Sequence, residues 1–173
     1  VIDEAYFEFS QYSLVSDLVQ RPHWLCVRSF SKAFRFASRR VGYAIADAQV
    51  ITALEKIRLP YNLPSFSYVA ALVALQQRDL FLGNIKETLQ EREKFRGILS
   101  QRSDIKVWQS QANFIYLRLD RASDEKLAKI TQDLKTQGTL IRHTGGGLRI
   151  TIGTPAENVR AIARLEKILD RLN

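Results

Sequence analysis

The sequence predicts an α/β fold in two parts, a mixed sheet with its helices followed by a small C-terminal α/β unit. Three observations predict it. Short apolar runs alternate with helix-compatible stretches in the first third, helical periodicity dominates from Asp47 to Ser100, and strand and helix rhythms resume over residues 112–172. The 173 residues are 46% hydrophobic and 25% charged, with 8 Gly, 4 Pro and 1 Cys, a composition that excludes collagen-like, low-complexity and disulfide-framework classes. No apolar run approaches the roughly 20 residues a membrane helix needs, so a cytoplasmic protein with no membrane partner is expected. The chain lacks methionine and opens on Val1-Ile2, which reads as strand core, so a fragment of a longer protein is expected.

Val1–Tyr6 and Trp24–Ser31 read as strands, with a helix over Gln11–Gln20 between them; strand, crossover and strand imply a parallel pair. Val41–Ala46 is a third strand, but the link from Ser31 is shorter than the dozen or so residues of a parallel crossover, so it is expected to run antiparallel. Asp3, Lys32 and Arg40 then meet at one rim of the sheet, where open α/β sheets bind ligands. Ala48–Arg58, Ser65–Gln77 and Leu82–Ser100 read as helices, the first stopped by Pro60. Ala112–Leu119 reads as a strand, Asp124–Thr136 as a helix, and Thr139–Arg142 and Leu148–Ile152 as strands around Gly145-Gly146-Gly147. The closing helix has Thr154 as N-cap, Pro155 in its first turn, Glu157 completing a capping box, and a buried stripe of Ile162, Leu165, Ile168, Leu169 and Leu172. The changes of rhythm divide the chain into 1–84, part of a larger domain, and 85–173, a small C-terminal domain.

Lys and Arg outnumber Asp and Glu by 26 to 18, a formal charge of +8. The cations are interleaved with acids on helix faces, as in Lys86, Arg92, Lys94 and Arg96 beside Glu87, Glu91 and Glu93, which is the pattern of a solvated face rather than of a nucleic-acid stripe. A basic anion- or nucleic-acid-binding module is the non-enzyme alternative, recognisable by salt-sensitive binding without cofactor chemistry. It gives no reason for the acid, phenol, lysine and arginine at one rim. His23 and His143 lack the spacing of a metal site, so no metal is expected, and Cys26 inside a strand reads as inert packing.

Lys32 follows a buried strand within Ser29-Phe30-Ser31-Lys32, with Arg40 eight residues on. Taken alone it would be an ordinary loop lysine; held against an apolar sheet edge and near a second cation it suits a nucleophilic amine. Asp3 reads alone as a turn cap, yet an acid across the same rim is what holds a pyridine nitrogen protonated in a pyridoxal phosphate site. Tyr6 offers a phenol to a ring oxygen, and Ser29, Ser31 and Arg40 offer hydroxyls and a guanidinium fork to a phosphate.

VIDEAYFEF, RSFSKAFRFASRRVGYAIAD, LPYNLPSFS, SQANFIYLRL and GGGLRITIGTPAEN, in this order, resemble the C-terminal half of the class I/II aminotransferases, and within them the histidinol-phosphate aminotransferases. The resemblance covers essentially the whole chain. It implies fold type I, the fold of the pyridoxal-phosphate-dependent transferases, with part of the large-domain mixed sheet and the small domain present. It also implies that Lys32 carries pyridoxal 5′-phosphate and shuttles a proton, that Asp3 partners the pyridinium nitrogen, that Tyr6 meets the ring oxygen, and that Ser29, Ser31 and Arg40 hold the phosphate. Arg149 matches the arginine that grips the substrate α-carboxylate, and Arg142 a second one associated with the substrate side chain and its phosphate; a surface salt bridge is the bland alternative for both. Asn113, Tyr61 and Asn62 are family-like, with strand register and helix entry as their ordinary reading.

The activity implied for the full-length parent is transfer of an amino group between a phosphorylated amino donor, L-histidinol phosphate, and a 2-oxo acid, 2-oxoglutarate, by a homodimer serving histidine biosynthesis. The fragment itself is expected to be inactive, since the resemblance assigns further parts of the site to residues preceding Val1. A threonine-phosphate decarboxylase or another class I/II aminotransferase is the alternative. The chain departs from the family pattern after the lysine, where Arg35, Ser38 and Arg39 replace small or apolar residues.

Overall fold

The computed structural model describes residues 1–172, and side chains through Arg171; the Leu172 side chain, expected in the closing helix's buried stripe, lies outside them. β1 (Ile2–Asp3) is parallel to β2 (Leu25–Ser29), which pairs antiparallel with β3 (Gly42–Ala46) in a sheet of order β1-β2-β3. The antiparallel third strand is the one its short link demands, and Ser29 pairs with Gly42 at the edge where β1 and β2 end.

β1 is shorter than the apolar run Val1–Tyr6 because the chain turns at Glu4. The Glu4 N–H still donates to Val27 O at 2.9 Å, but the Phe7 N–H already returns to Glu4 O at 2.9 Å. The helix expected over Gln11–Gln20 does not form. α1 (Phe7–Ser10), closed by Gln11 at φ 55°, ends before the stretch begins, and a 3-10 segment over Val15–Gln20 occupies its second half. Side chains compete with the backbone there. Ser13 Oγ and the Leu14 N–H both donate to the Glu4 carboxylate, at 2.9 and 2.8 Å, and pin the middle of the stretch to the strand end.

α2 (Ala48–Ile57), capped by Asp47 accepting from the Gln49 N–H at 2.8 Å, and α3 (Ser65–Gln76) lie where expected. The helix expected over Leu82–Ser100 is interrupted: Leu82 ends a short α4 (Arg78–Leu82), and α5 runs over Ile85–Leu99. Phe30, Phe34, Val41, Ala71 and Ala74 form the core here, with Phe36, Leu63, Phe81 and Leu82 packed on it.

The chain divides into two units, Val1–Ile85 and Lys86–Asn173. In the second, β4 (Ile105–Val107), β5 (Phe114–Leu119), β6 (Arg142–Thr144) and β7 (Gly147–Thr151) form an antiparallel sheet of order β4-β5-β7-β6. β4 has only three residues and leaves no periodicity to read. The strand expected over Thr139–Arg142 begins at Arg142 instead, because Gly138 at φ 78° and the Thr139 N–H donating to Leu134 O at 2.9 Å still belong to the exit of α6 (Asp124–Thr136). α7 (Pro155–Leu172) closes the unit, and its capping box is present: Thr154 N–H and Oγ1 donate to Glu157 Oε2 at 2.8 and 2.9 Å.

One face of this sheet is the core. Ile115 and Leu117 of β5 and Leu148 and Ile150 of β7 pack on Phe95 and Leu99 of α5, Leu127, Ile130 and Leu134 of α6, and Leu165 and Leu169 of α7. Side chains alternate along a strand, so the register pairs Phe114 with Thr151 and Tyr116 with Arg149 on the opposite face. That alternation delivers Arg149 to the face of the sheet opposite the core.

Candidate functional site

In the first unit, the loop after β2 is held by its own aromatic residues. Phe30 and Phe34 are 3% and 5% exposed, with ring centroids 4.7 Å apart, and they flank Lys32 on either side in sequence. The Phe30 N–H donates to Val41 O at 3.1 Å, the Phe36 N–H to Phe30 O at 2.9 Å, and the Arg35 N–H to Lys32 O at 3.0 Å, so the loop is closed at its base and around the lysine. Lys32 is half-buried, and among the described residues its Nζ has no hydrogen-bond or ion-pair partner. It lies 5.2 Å from the centroid of the Tyr6 ring. Buried neighbours thus fix the main chain at Lys32 while leaving its amine available.

Asp3 is the last residue of β1 and is exposed; Oδ1 accepts from the Ala5 N–H at 2.9 Å, so it caps the turn that leads to Tyr6. Ser29 Oγ accepts from the Ser31 N–H at 3.0 Å and shapes the turn into Lys32. Arg40 sits at φ 56° just before β3, exposed, with Nη1 donating to Ala37 O at 2.7 Å. Strand direction therefore brings Asp3, Ser29, Ser31, Lys32 and Arg40 to one edge of this sheet. Tyr61, 97% exposed at φ 58°, and Asn62, which accepts from Arg58 Nη1 at 3.2 Å, make a surface turn.

Sequence reasoning missed what holds that edge from behind. Glu4, 8% exposed, accepts from Arg28 Nη2 at 2.8 Å and Nε at 3.0 Å, from Ser13 Oγ and from the Leu14 N–H, while the Arg28 guanidinium lies 3.6 Å from the Phe7 ring centroid. Burial works to raise the Glu4 carboxyl, but the Leu14 N–H, Arg28 and Ser13 outweigh it and hold the group below its ordinary range. The signal was an arginine inside a run read as a buried strand, which requires a buried acid. Cys26 is fully buried, and burial foremost, with the Glu4 carboxylate beside it, pushes its thiol up to about 11, in keeping with inert packing.

In the second unit, Arg142 and Arg149 are directly opposed across β6 and β7. Like charges facing each other destabilise a sheet unless something compensates. Neither arginine makes an ion pair among the described residues, so the surface salt bridge is not formed at either. The Arg149 guanidinium stacks 4.1 Å from the Phe114 ring centroid, and its Nε is buried with no hydrogen-bond partner. A buried guanidinium N–H without an acceptor costs free energy, and the arrangement is suited to a ligand carrying an anionic group. Arg142 is exposed. Asn113 contributes its carbonyl to the Ile152 N–H at 2.9 Å, the strand-register role. His143 faces Asp124, Nε2 to Oδ1 3.2 Å, and no cluster of three metal-ligating side chains occurs among the described residues.

Residues 1–165 match the family model described as aminotransferase class I and II. A histidinol-phosphate aminotransferase 2 of Nostoc sp. is 55% identical, over 98% of this chain and 45% of its own length; a histidinol-phosphate aminotransferase of Trichodesmium erythraeum is 54% identical, over 97% and 47%. The chain thus spans about half the length of the curated relatives it matches. Among solved structures, histidinol-phosphate aminotransferase from Sinorhizobium meliloti, in complex with pyridoxal-5′-phosphate, superposes with a TM-score of 0.82 at 25% identity, over 99% of this chain and 48% of that one. L-threonine-O-3-phosphate decarboxylase from Porphyromonas gingivalis shares the fold, with a TM-score of 0.85 at 24% identity over 97% of this chain and 54% of that one. The architecture is that of the fold type I aminotransferases, and with the family model matched over nearly its whole length, the chain belongs to the class I and II aminotransferase family.

Proposed function

We propose that the chain supplies the lysine and the substrate-gripping arginines of an aminotransferase acting on L-histidinol phosphate and 2-oxoglutarate. The observation that carries this reading is the Arg142–Arg149 pair, two arginines opposed in strand register, with the Arg149 Nε buried and unpartnered, in a chain whose similar curated relatives are named histidinol-phosphate aminotransferases. L-Histidinol phosphate has no carboxylate; its anion is a phosphate ester one methylene from the amine-bearing carbon. A dianion there matches two guanidinium forks, whereas the singly charged α-carboxylate of glutamate needs only that of Arg149 in the return half-reaction.

The first unit's edge fits pyridoxal phosphate by the chemistry of its groups. An amine without a partner, a carboxylate at a strand end, a phenol near the amine, two serines and an arginine correspond to an aldehyde, a ring nitrogen, a ring oxygen and a phosphate. Lys32 Nζ would hold the cofactor covalently until the substrate amine takes its place on the same carbon, and the freed lysine amine would then take the proton from the substrate α-carbon. Asp3 would keep the ring nitrogen protonated, Tyr6 would orient the ring through its oxygen, and Ser29, Ser31 and Arg40 would bind the phosphate. When bound, pyridoxal phosphate supplies an electron sink for the pair left on that carbon. We read Val1–Ile85 as part of the large domain and Lys86–Asn173 as the small one.

The same reading makes the full-length protein a cytoplasmic homodimer of histidine biosynthesis. Phe66, Tyr68, Val69, Leu72 and Val73 of α3 are 43–66% exposed in this chain, apolar surface of the kind that association covers. No helix among the described residues is long and apolar enough to cross a membrane. The test is glutamate formation from 2-oxoglutarate and L-histidinol phosphate by the full-length protein. Carbon dioxide release from L-threonine O-3-phosphate, with no glutamate formed, would overturn the reading in favour of a decarboxylase.

A further inference from the structure

We propose that Tyr116 and Arg118 are positioning residues that lock the β6–β7 hairpin and so set the spacing of Arg142 from Arg149; this rests on the reading of that pair as the substrate's anion site. The hairpin has a two-residue loop, Gly145-Gly146, with φ 58° and 71°, the positive values that a two-residue I′ turn requires. A loop of two glycines between two strands that each bear a cation has little to hold it, and Arg142 is only two residues from the turn.

Two side chains of the neighbouring strand close on the loop's first carbonyl. Tyr116 Oη donates to Gly145 O at 2.7 Å, Arg118 Nη2 donates to the same oxygen at 2.7 Å, and Arg118 Nε donates to Tyr116 Oη at 3.2 Å. The three groups form a closed cycle, so each donor orients the other. Tyr116 is itself held on both sides. Its ring stands 5.5 Å from that of Trp108, and it lies so close over Gly147 that a Cβ there would stand 2.7 Å from Oη and 2.8 Å from Cζ. In strand register Tyr116 stands opposite Arg149, which stands in turn opposite Arg142. Tyr116, Arg149 and Arg142 thus form one row over three strands, and the clamp ties its outer members together through the turn.

Two side-chain donors on one carbonyl, one of them a charged guanidinium, are more than a surface turn needs. They suit a hairpin that must keep two like charges at a fixed separation before any ligand neutralises them. A dianion is recognised by that separation as much as by the charges, since a bidentate fork loses its second bond when the spacing drifts.

The experiment is a titration of the chain with inorganic phosphate, read at the arginine Nε–Hε resonances, together with melting temperatures. Tyr116→Phe, which keeps the ring over Gly147, and Arg118→Gln should each weaken phosphate binding about threefold to tenfold, the effect of one lost hydrogen bond on the positioned site. The melting temperature should fall by no more than the roughly 4–8 °C of one lost hydrogen bond, and Arg118→Lys, which keeps one donor, should recover part of the loss in binding. Phosphate binding unchanged in both variants but lost in Arg149→Gln would overturn the positioning role and leave the anion site standing. Binding unaffected even by Arg142→Gln and Arg149→Gln would remove the anion site and the inference with it.

Discussion

Gly147 opens the strand that carries Arg149, and replacing it with alanine tests the sheet and the site together. A Cβ at this position would lie 2.4 Å from the Leu117 carbonyl oxygen, 2.7 Å from Tyr116 Oη and 2.8 Å from Tyr116 Cζ. The tyrosine tip could swing away at the expense of its bond to Gly145, but the carbonyl belongs to the neighbouring strand and cannot. The methyl therefore forces the strands apart, and the cost falls at the upper end of the ~1–3 kcal/mol typical of overpacking. For a unit of this size each kcal/mol moves the midpoint by about 4–8 °C, so thermal unfolding of the second unit should fall by roughly 10–20 °C. Two other glycines calibrate the argument. Gly146 has open space around it but a φ of 71°, so alanine there should cost about 1–2 kcal/mol from conformation alone. Gly97 lies within α5 with nothing inside 4 Å of its Cβ position, so alanine there should stabilise by about 1 kcal/mol. Calorimetry of the three variants gives the order Gly97→Ala, unaltered chain, Gly146→Ala, Gly147→Ala. A Gly147→Ala protein no less stable than Gly146→Ala would refute the reasoning.

The Glu4–Arg28 pair gives a pH-dependent expectation. The folded-state pKa of Glu4 is depressed, so its contribution is fully present above the ordinary carboxylate value of 4.5 and is lost as pH falls through the lower folded value. Glu4→Gln should therefore be less stable than the unaltered chain at neutral pH, because it leaves Arg28 without its buried carboxylate, and the difference should narrow in acid; denaturant unfolding at pH 7 and pH 3 measures both, and a constant difference would contradict it. In full-length protein, Arg149→Lys should weaken turnover of every amino donor, because a lysine cannot make the bidentate contact, whereas Arg142→Ala should penalise phosphorylated donors selectively. Equal losses across donors for both variants would show that Arg142 has no part in reading the phosphate.

Much of this was legible because the strongest signals were local. Thr154, Pro155 and Glu157 announce the start of α7, and the Ser123-capped α6 matches its expected bounds, since caps and periodic apolar faces lie within a few residues of one another. The antiparallel β3 followed from the length of a link. What failed depended on partners distant in sequence: the Gln11–Gln20 helix yields to a carboxylate that Glu4 brings from the strand end, and β4 is a strand only because Leu119 and Leu117 lie beside Ile105 and Val107. The candidate site divides the same way. Lys32, Asp3, Arg149 and Arg142 stand out by residue type and by their place on a strand or just past its end, whereas Tyr116 and Arg118 read as ordinary residues of a strand's polar face until the fold brings Gly145 to them.

Identification of the lysine that carries the cofactor tests the central claim most directly. Borohydride reduction of full-length protein loaded with pyridoxal 5′-phosphate, followed by peptide mass mapping, should place the reduced pyridoxyl group on Lys32 and nowhere else in stoichiometric amount, and Lys32→Ala should abolish both the label and the visible absorbance of the bound cofactor. Stoichiometric label on a different lysine, with Lys32 unmodified, would contradict the account.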